Sequence, residues 1–160
     1  MKHLIGKALF TLACAGLMTA VSAAYKAEYK LSVVPGATSG WGQTATFFAD
    51  CVRNKTDGRV NIKPYFGAQL MAGKQTSELL LVRRGAIDFA LASTINWSPQ
   101  IKELNLTALP FFVANNPNRY KAMDAIEAGK SGKMLQDAIE KTGVKFIGWS
   151  ENGFRELTTS

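Results

Sequence analysis

Three short runs hold most of the side chains that could grip a small polar molecule. Ser39 and Trp41 lie in the Gly/Ser-rich run from Gly36 to Gly42. Thr94, Asn96 and Trp97 lie between Ser93 and Ser98. Glu151, Asn152 and Arg155 follow Trp149. Together they offer hydroxyls, amides, two indoles and a guanidinium, a set suited to holding a small polar or anionic ligand against aromatic walls. For Trp41 and Trp97 packing is as good an account as a ligand wall, because a buried indole is a core residue first.

Other chemistries lose their residues early. Met1, Lys2 and Lys7 precede an apolar run from Ala8 to Val21, and Ser22, Ala23 and Ala24 supply an A-x-A-like end. This is the layout of a cleavable signal peptide over residues 1–23, with cleavage one residue later as the alternative. The apolar run is short for a membrane span. Removing it takes away His3, the only histidine, and Cys14, which leaves Cys51 alone. No Ser-His-Asp, Cys-His or His/Cys zinc site can then be built from residues 24–160, and no intramolecular disulfide. Cys51 reads most simply as a small core residue. No cofactor is expected.

Charge points the same way. The chain has a formal net charge of +7, and loss of the two leader lysines leaves seventeen basic residues against twelve acidic, a net +5. The basic residues are scattered, which argues against nucleic acid as a partner and suits attraction of small anions.

The elements that must position these runs follow from periodicity. Tyr25 to Val34 alternates like a strand, and Pro35-Gly36 breaks it. Ala45, Phe48, Ala49 and Val52 recur at helical spacing. Asp57-Gly58 turns the chain into a second strand over Arg59 to Lys63. Leu79 to Val82 reads as a short helix ending at Arg83-Arg84-Gly85. Ile87 to Ala92 reads as a buried third strand. Asn116-Pro117 predicts a helix entry, with Asn116 as cap. That helical pattern runs to Gly143 and can be split at Gly129, Ser131 and Gly132. Val144 to Trp149 reads as a last buried strand. Strands alternating with helices predict an α/β domain with a largely parallel sheet and flanking helices, whose ligands sit beyond the carboxyl ends of the strands.

Gly40-Trp41-Gly42-Gln43-Thr44-Ala45 also matches G-x-G-x-x-A at the position of a dinucleotide-binding turn, which keeps open an exported Rossmann-like nicotinamide-dependent enzyme. The acid that should hold the ribose is missing, because the second strand runs into Lys63-Pro64-Tyr65-Phe66.

One segment is more specific than any of these. Gly148-Trp149-Ser150-Glu151-Asn152-Gly153-Phe154-Arg155-Glu156-Leu157-Thr158-Thr159-Ser160 resembles the G-W-x-E-N-G-F-R-x-L-T-x-S segment of TRAP transporter solute receptors of the dicarboxylate-receptor type. Asn54 to Val60, Gly67-Ala68-Gln69-Leu70, Gly85 to Ala90 and Leu109-Pro110-Phe111-Phe112 resemble further family segments in the same order. The resemblance implies a non-catalytic, two-lobed periplasmic receptor. Such a receptor closes on an organic acid and delivers it to a membrane permease.

It implies that Arg155 contacts the ligand's carboxylate, since a planar guanidinium pairs with a carboxylate through two parallel hydrogen bonds. An ion pair with Glu151 or Glu156 is the alternative. The family pattern continues into a G-[LM]-[KR]-[IV]-R-V strand that lies beyond Ser160. Residues 24–160 are therefore expected to form an incomplete first lobe without the second, binding ligand weakly or not at all as a fragment.

Overall fold

The computed structural model describes residues 25–113, 115–151 and 153. The expected signal peptide, Asn152 and Arg155 lie outside the described residues. No helix among the described residues is long and apolar enough to cross a membrane.

Three parallel strands form the sheet, in the order β2-β1-β3. They are β1 (Tyr29–Val33), β2 (Ile62–Tyr65) and β3 (Phe89–Leu91). Tyr29 pairs with Ile62 on one side of β1, and Val33 pairs with Leu91 on the other. All three carboxyl ends therefore open on the same edge of the sheet, as the α/β pattern predicts.

The two faces of β1 are used differently, because successive side chains point to opposite sides. Leu31 and Val33 are buried against helix α1 (Gly40–Lys55), where Ala45 and Ala49 meet Ile62 of β2. Ser32 points the other way and is also buried. On that side lie α2 (Glu78–Arg83) and α3 (Thr94–Trp97). Leu79 and Trp97 of these helices share a core with Ile101, Leu104, Leu135, Ala138 and Ile139. The last three belong to α5 (Lys130–Glu140), which follows α4 (Arg119–Ala128). Full burial of side chains such as Leu79, Leu104 and Leu135 stabilises by roughly 1.5–3 kcal/mol each.

Several expectations shift. The second strand starts three residues late. Thr56 Oγ1 takes the Val60 N–H at 3.1 Å and the Thr56 carbonyl takes the Arg59 N–H at 3.0 Å, so these residues extend the turn after α1. Pro64 is tolerated inside β2 because β2 is an edge strand. The third strand is shorter than Ile87 to Ala92 and only half-buried. The cap of α4 is Asn118, not Asn116: Asn118 Oδ1 accepts the Lys121 N–H at 3.0 Å, and Asn116 Oδ1 accepts the Asn118 N–H at 2.9 Å in the preceding turn. Val144 to Trp149 is not a strand. Its side chains alternate between half-buried and exposed, but its backbone joins no ladder. A strand exists only by pairing, and no neighbour stands beside this segment among the described residues.

Candidate functional site

The loops after β1 and β3 leave the same edge of the sheet, and both carry expected site residues. After β1 the chain turns at Pro35-Gly36 and enters α1 earlier than the Gly/Ser pattern suggests. Ser39 is the N-cap of that helix: its Oγ accepts the Gly42 N–H at 3.1 Å and donates to the Gly36 carbonyl at 2.6 Å. Trp41 is in the first turn of α1, half-buried against the core of Leu31, Val33 and Ala45. No acidic residue occupies that turn, so the Ser39 cap is the side chain that meets the partial positive charge of this 16-residue helix.

The G-x-G-x-x-A run is accounted for by this local packing. A Cβ at Gly42 would meet the Ala37 carbonyl oxygen at 2.4 Å and the Gly36 carbonyl oxygen at 2.6 Å. Gly42 is there so that the loop's own backbone can lie across the helix start. That is where a dinucleotide phosphate would have to approach.

After β3, Ser93 leads into α3, a single turn that turns the expected loop into helix. Thr94 and Asn96 are half-buried beside the edge. The Thr94 and Thr107 hydroxyls are 2.8 Å apart, and Thr107 donates to the Leu104 carbonyl at 3.1 Å. A hydroxyl has one proton, so Thr94 donates to Thr107 and keeps its own lone pairs as acceptors. Asn96 Nδ2 donates to Gln75 Oε1 at 2.9 Å. Trp97 turns inward and is 9% exposed, and its Nε1 donates to Glu78 Oε2 at 3.1 Å.

Glu78 is the residue that sequence reasoning missed. It opens α2, is fully buried, and takes the Ser32 hydroxyl on Oε1 at 2.6 Å. Burial pushes its carboxyl above the ordinary glutamate value, against the lowering effect of the Ser32 and Trp97 hydrogen bonds. Gln75 and Thr107, which hold Asn96 and Thr94, were also missed. Gln75 fell between the segments that the pattern assigns, and Thr107 carried no signal.

The third run is only partly described. Trp149 packs against the core that contains Trp97, with its ring centre 4.8 Å from that of Phe146. Glu151 is exposed, and its charge contributes to raising the carboxyl of Glu127 on α4, for which burial is the larger cause. An open hollow of about 290 Å³ on the exposed face of α5 holds Lys130, Lys133 and Lys141 together with Glu103 and Asp137, and none of the expected site residues. Among the described residues no group of three or more His, Cys, Asp or Glu could hold a metal ion.

This arrangement is a sheet edge with capped, hydrogen-bonded loops beside a helix N-terminus. The family profile described as "Bacterial extracellular solute-binding protein, family 7" matches residues 31–160. The chain belongs to this family.

A TRAP periplasmic solute-binding protein from Ralstonia eutropha H16, solved with bound (S)-2-acetolactate, is 50% identical with a TM-score of 0.70, over 76% of this chain and 37% of that one. A second, from Chromohalobacter salexigens with bound D-glucuronate, is 27% identical with a TM-score of 0.62, over 71% of this chain and 36% of that one. A curated solute-binding protein from the same Chromohalobacter species is 32% identical over 72% of this chain and 33% of its own length. The chain thus spans about a third of the length of the relatives it matches. The TRAP receptor resemblance first visible around Glu151 holds for this family 7 chain, and the parallel sheet with flanking helices is the corresponding part of the receptors' fold. Members of the family are binding proteins.

Proposed function

We propose that residues 24–160 form the first lobe of an exported, non-catalytic receptor that captures an organic acid in the periplasm and hands it to a TRAP-type membrane permease. The observation that carries this reading is the 50% identity to a receptor holding a small carboxylic acid, over 76% of this chain. The physical features of that edge agree with it. The start of α1 and the Asn96 amide lie at the carboxyl edge of the sheet, and by the family resemblance Arg155 would add a guanidinium able to take a carboxylate through two hydrogen bonds. Residues 1–23 would act as the signal peptide for export. The partners are then the small acid and the permease subunits, with no nucleic acid.

The test is residue-resolved NMR of the ¹⁵N-labelled chain with millimolar (S)-2-acetolactate, D-glucuronate and succinate, with NADH for comparison. Millimolar ligand detects binding even at affinities near −4 kcal/mol. Shifts concentrated at Ser39–Gly42, Thr94–Asn96 and Arg155 with any of the acids support the receptor. Shifts at Gly40–Gly42 with NADH and none with any acid would overturn it.

A further inference from the structure

The deepest polar group near the ligand edge touches no solvent and has no ion-pair partner among the described residues. Glu78 has no exposed surface, and its two carboxyl oxygens meet two different elements: Ser32 of β1 at 2.6 Å and Trp97 of α3 at 3.1 Å. We propose that Glu78 is a positioning residue for the organic-acid site, tying α3 to β1 so that Thr94 and Asn96 are presented beside the loop that carries Ser39 and Trp41. The proposal rests on the receptor reading for the identity of the site. The tie itself stands on geometry.

α3 has only four residues and cannot hold its own place, since a single turn fixes several dihedrals for very few hydrogen bonds. Something must anchor it, and Trp97 does so at the end facing the core. Apolar packing fixes how deep the indole lies, but the N–H must also find an acceptor once buried. Glu78 is that acceptor. Its second oxygen reaches the one buried polar side chain of β1, a single residue short of the strand's carboxyl end. The chain Ser32–Glu78–Trp97 therefore runs from the central strand to the helix that carries Thr94 and Asn96.

The same geometry fixes the proton. Trp97 Nε1 can only donate, so Oε2 must accept in every state. Ser32 Oγ can donate or accept, so a proton on Oε1 is accommodated without any rearrangement of heavy atoms. An ionised carboxylate buried without a cation costs several kcal/mol. Among the described residues no neighbouring charge offsets that cost. Lys30 of β1, Arg83 of α2, Lys74 before α2 and Glu103 after α3 are exposed, and Asp88 before β3 is engaged with Lys26. Burial, Ser32 and Trp97 are the influences on the Glu78 carboxyl, with burial first. Burial therefore favours the neutral acid, against the pull of the two hydrogen bonds. A neutral form also spares an anionic ligand the repulsion of a carboxylate beneath its site.

The experiment compares the wild-type chain with Glu78→Gln and Glu78→Ala, by thermal unfolding between pH 4 and 8 and by the amide shifts of Thr94–Asn96 over the same range. A raised native value means stability is full below the ordinary glutamate range and is lost as pH rises through the native one. Glu78→Gln, which copies the neutral acid's shape and keeps an acceptor for Trp97 and a donor for Ser32, is expected to lose less stability than the wild type as pH rises. It should also leave Thr94–Asn96 in place. Glu78→Ala should unfold at least ~3 °C lower at all pH values, with Thr94–Asn96 displaced. A Glu78→Ala chain as stable as wild type, or one whose Thr94–Asn96 shifts are unmoved, overturns the proposal. No arm contains ligand, so a failed receptor reading would show separately, as NADH-induced shifts without acid-induced ones in the wild type.

Discussion

Asp88 and Lys30 hold each other twice: Asp88 Oδ2 accepts the Lys30 backbone N–H at 2.9 Å, and the Asp88 backbone N–H donates to the Lys30 carbonyl at 3.1 Å. The pair closes the amino end of the β1–β3 ladder, and Lys26 adds an ion pair from the solvent side. This is the edge opposite the ligand loops, so Asp88 bears on stability and not on binding. Burial works to raise its carboxyl, but the hydrogen bonds from Lys26 and the Lys30 backbone prevail and hold it below the ordinary aspartate value. The stability it contributes is present above that ordinary value and is lost as pH falls through the lowered one. Asp88→Ala should cost about 1–3 kcal/mol in urea unfolding at pH 7, because it leaves the Lys30 N–H unpaired. Asp88→Asn, which keeps an acceptor, should cost less and lose less stability between pH 5 and 3 than wild type does.

Gly42 is fixed by what lies against it. A Cβ there would press on the carbonyls of Ala37 and Gly36, which are backbone and cannot rotate away. Gly42→Ala should therefore displace the loop after β1 and destabilise by about 1–3 kcal/mol, as overpacking does, although alanine is the better helix former. Gly40→Ala, one position before Trp41 and with open space around it, is the control and should be neutral within ~0.5 kcal/mol. Equal effects of the two in thermal unfolding would contradict the packing account of the glycine run.

Legibility of the sequence depended on whether a residue's fate is decided locally. The spacing of Ala45, Ala49 and Val52 specifies which face of α1 is buried, and the structure buries that face. The Asp57-Gly58 turn is likewise local, with both residues at positive φ. Val144 to Trp149 has the composition of a strand, but a ladder requires a neighbour that composition does not supply. Glu78 was invisible for the opposite reason. An acid at the start of a helix normally faces solvent and complements the dipole, and only the packing of Ser32 and Trp97 around it makes it interior. The two tryptophans divided in the same way. Trp41 stays at the ligand edge because α1 begins there, whereas Trp97 is drawn into the core by a partner 19 residues away in sequence.

Arg155 is the residue on which the receptor reading makes its sharpest claim. A lysine keeps the charge but not the planar fork, so it cannot reproduce a bidentate carboxylate pair. Arg155→Lys and Arg155→Ala should both weaken (S)-2-acetolactate binding about tenfold or more, since a lost charge-assisted hydrogen bond is worth ~1.5–3 kcal/mol. Titration followed by NMR reads this directly. Full affinity in the lysine variant would mean that Arg155 contributes charge alone. Unchanged affinity in both would assign it to an ion pair with Glu151 or Glu156.

Ser39 separates holding the fold from holding the ligand. Its hydroxyl is spent on capping, accepting from Gly42 and donating to Gly36, so it has no proton left to offer an incoming acid. Ser39→Ala should then lower stability by about 1 kcal/mol, the usual cost of a lost cap, while acid binding by the folded chain changes little. Ser39→Asp tests the other side. Aspartate caps as well as serine and adds a charge that favours the helix start, so stability should be kept or slightly raised. That same charge would occupy the positive end of α1 where the proposed anion is drawn, and it should reduce acid binding at low ionic strength, with partial recovery as salt screens it. Loss of binding in the aspartate variant with stability intact places the ligand's charge near the start of α1. Unimpaired binding there would move the anion to the α3 side of the edge, between Thr94 and Asn96.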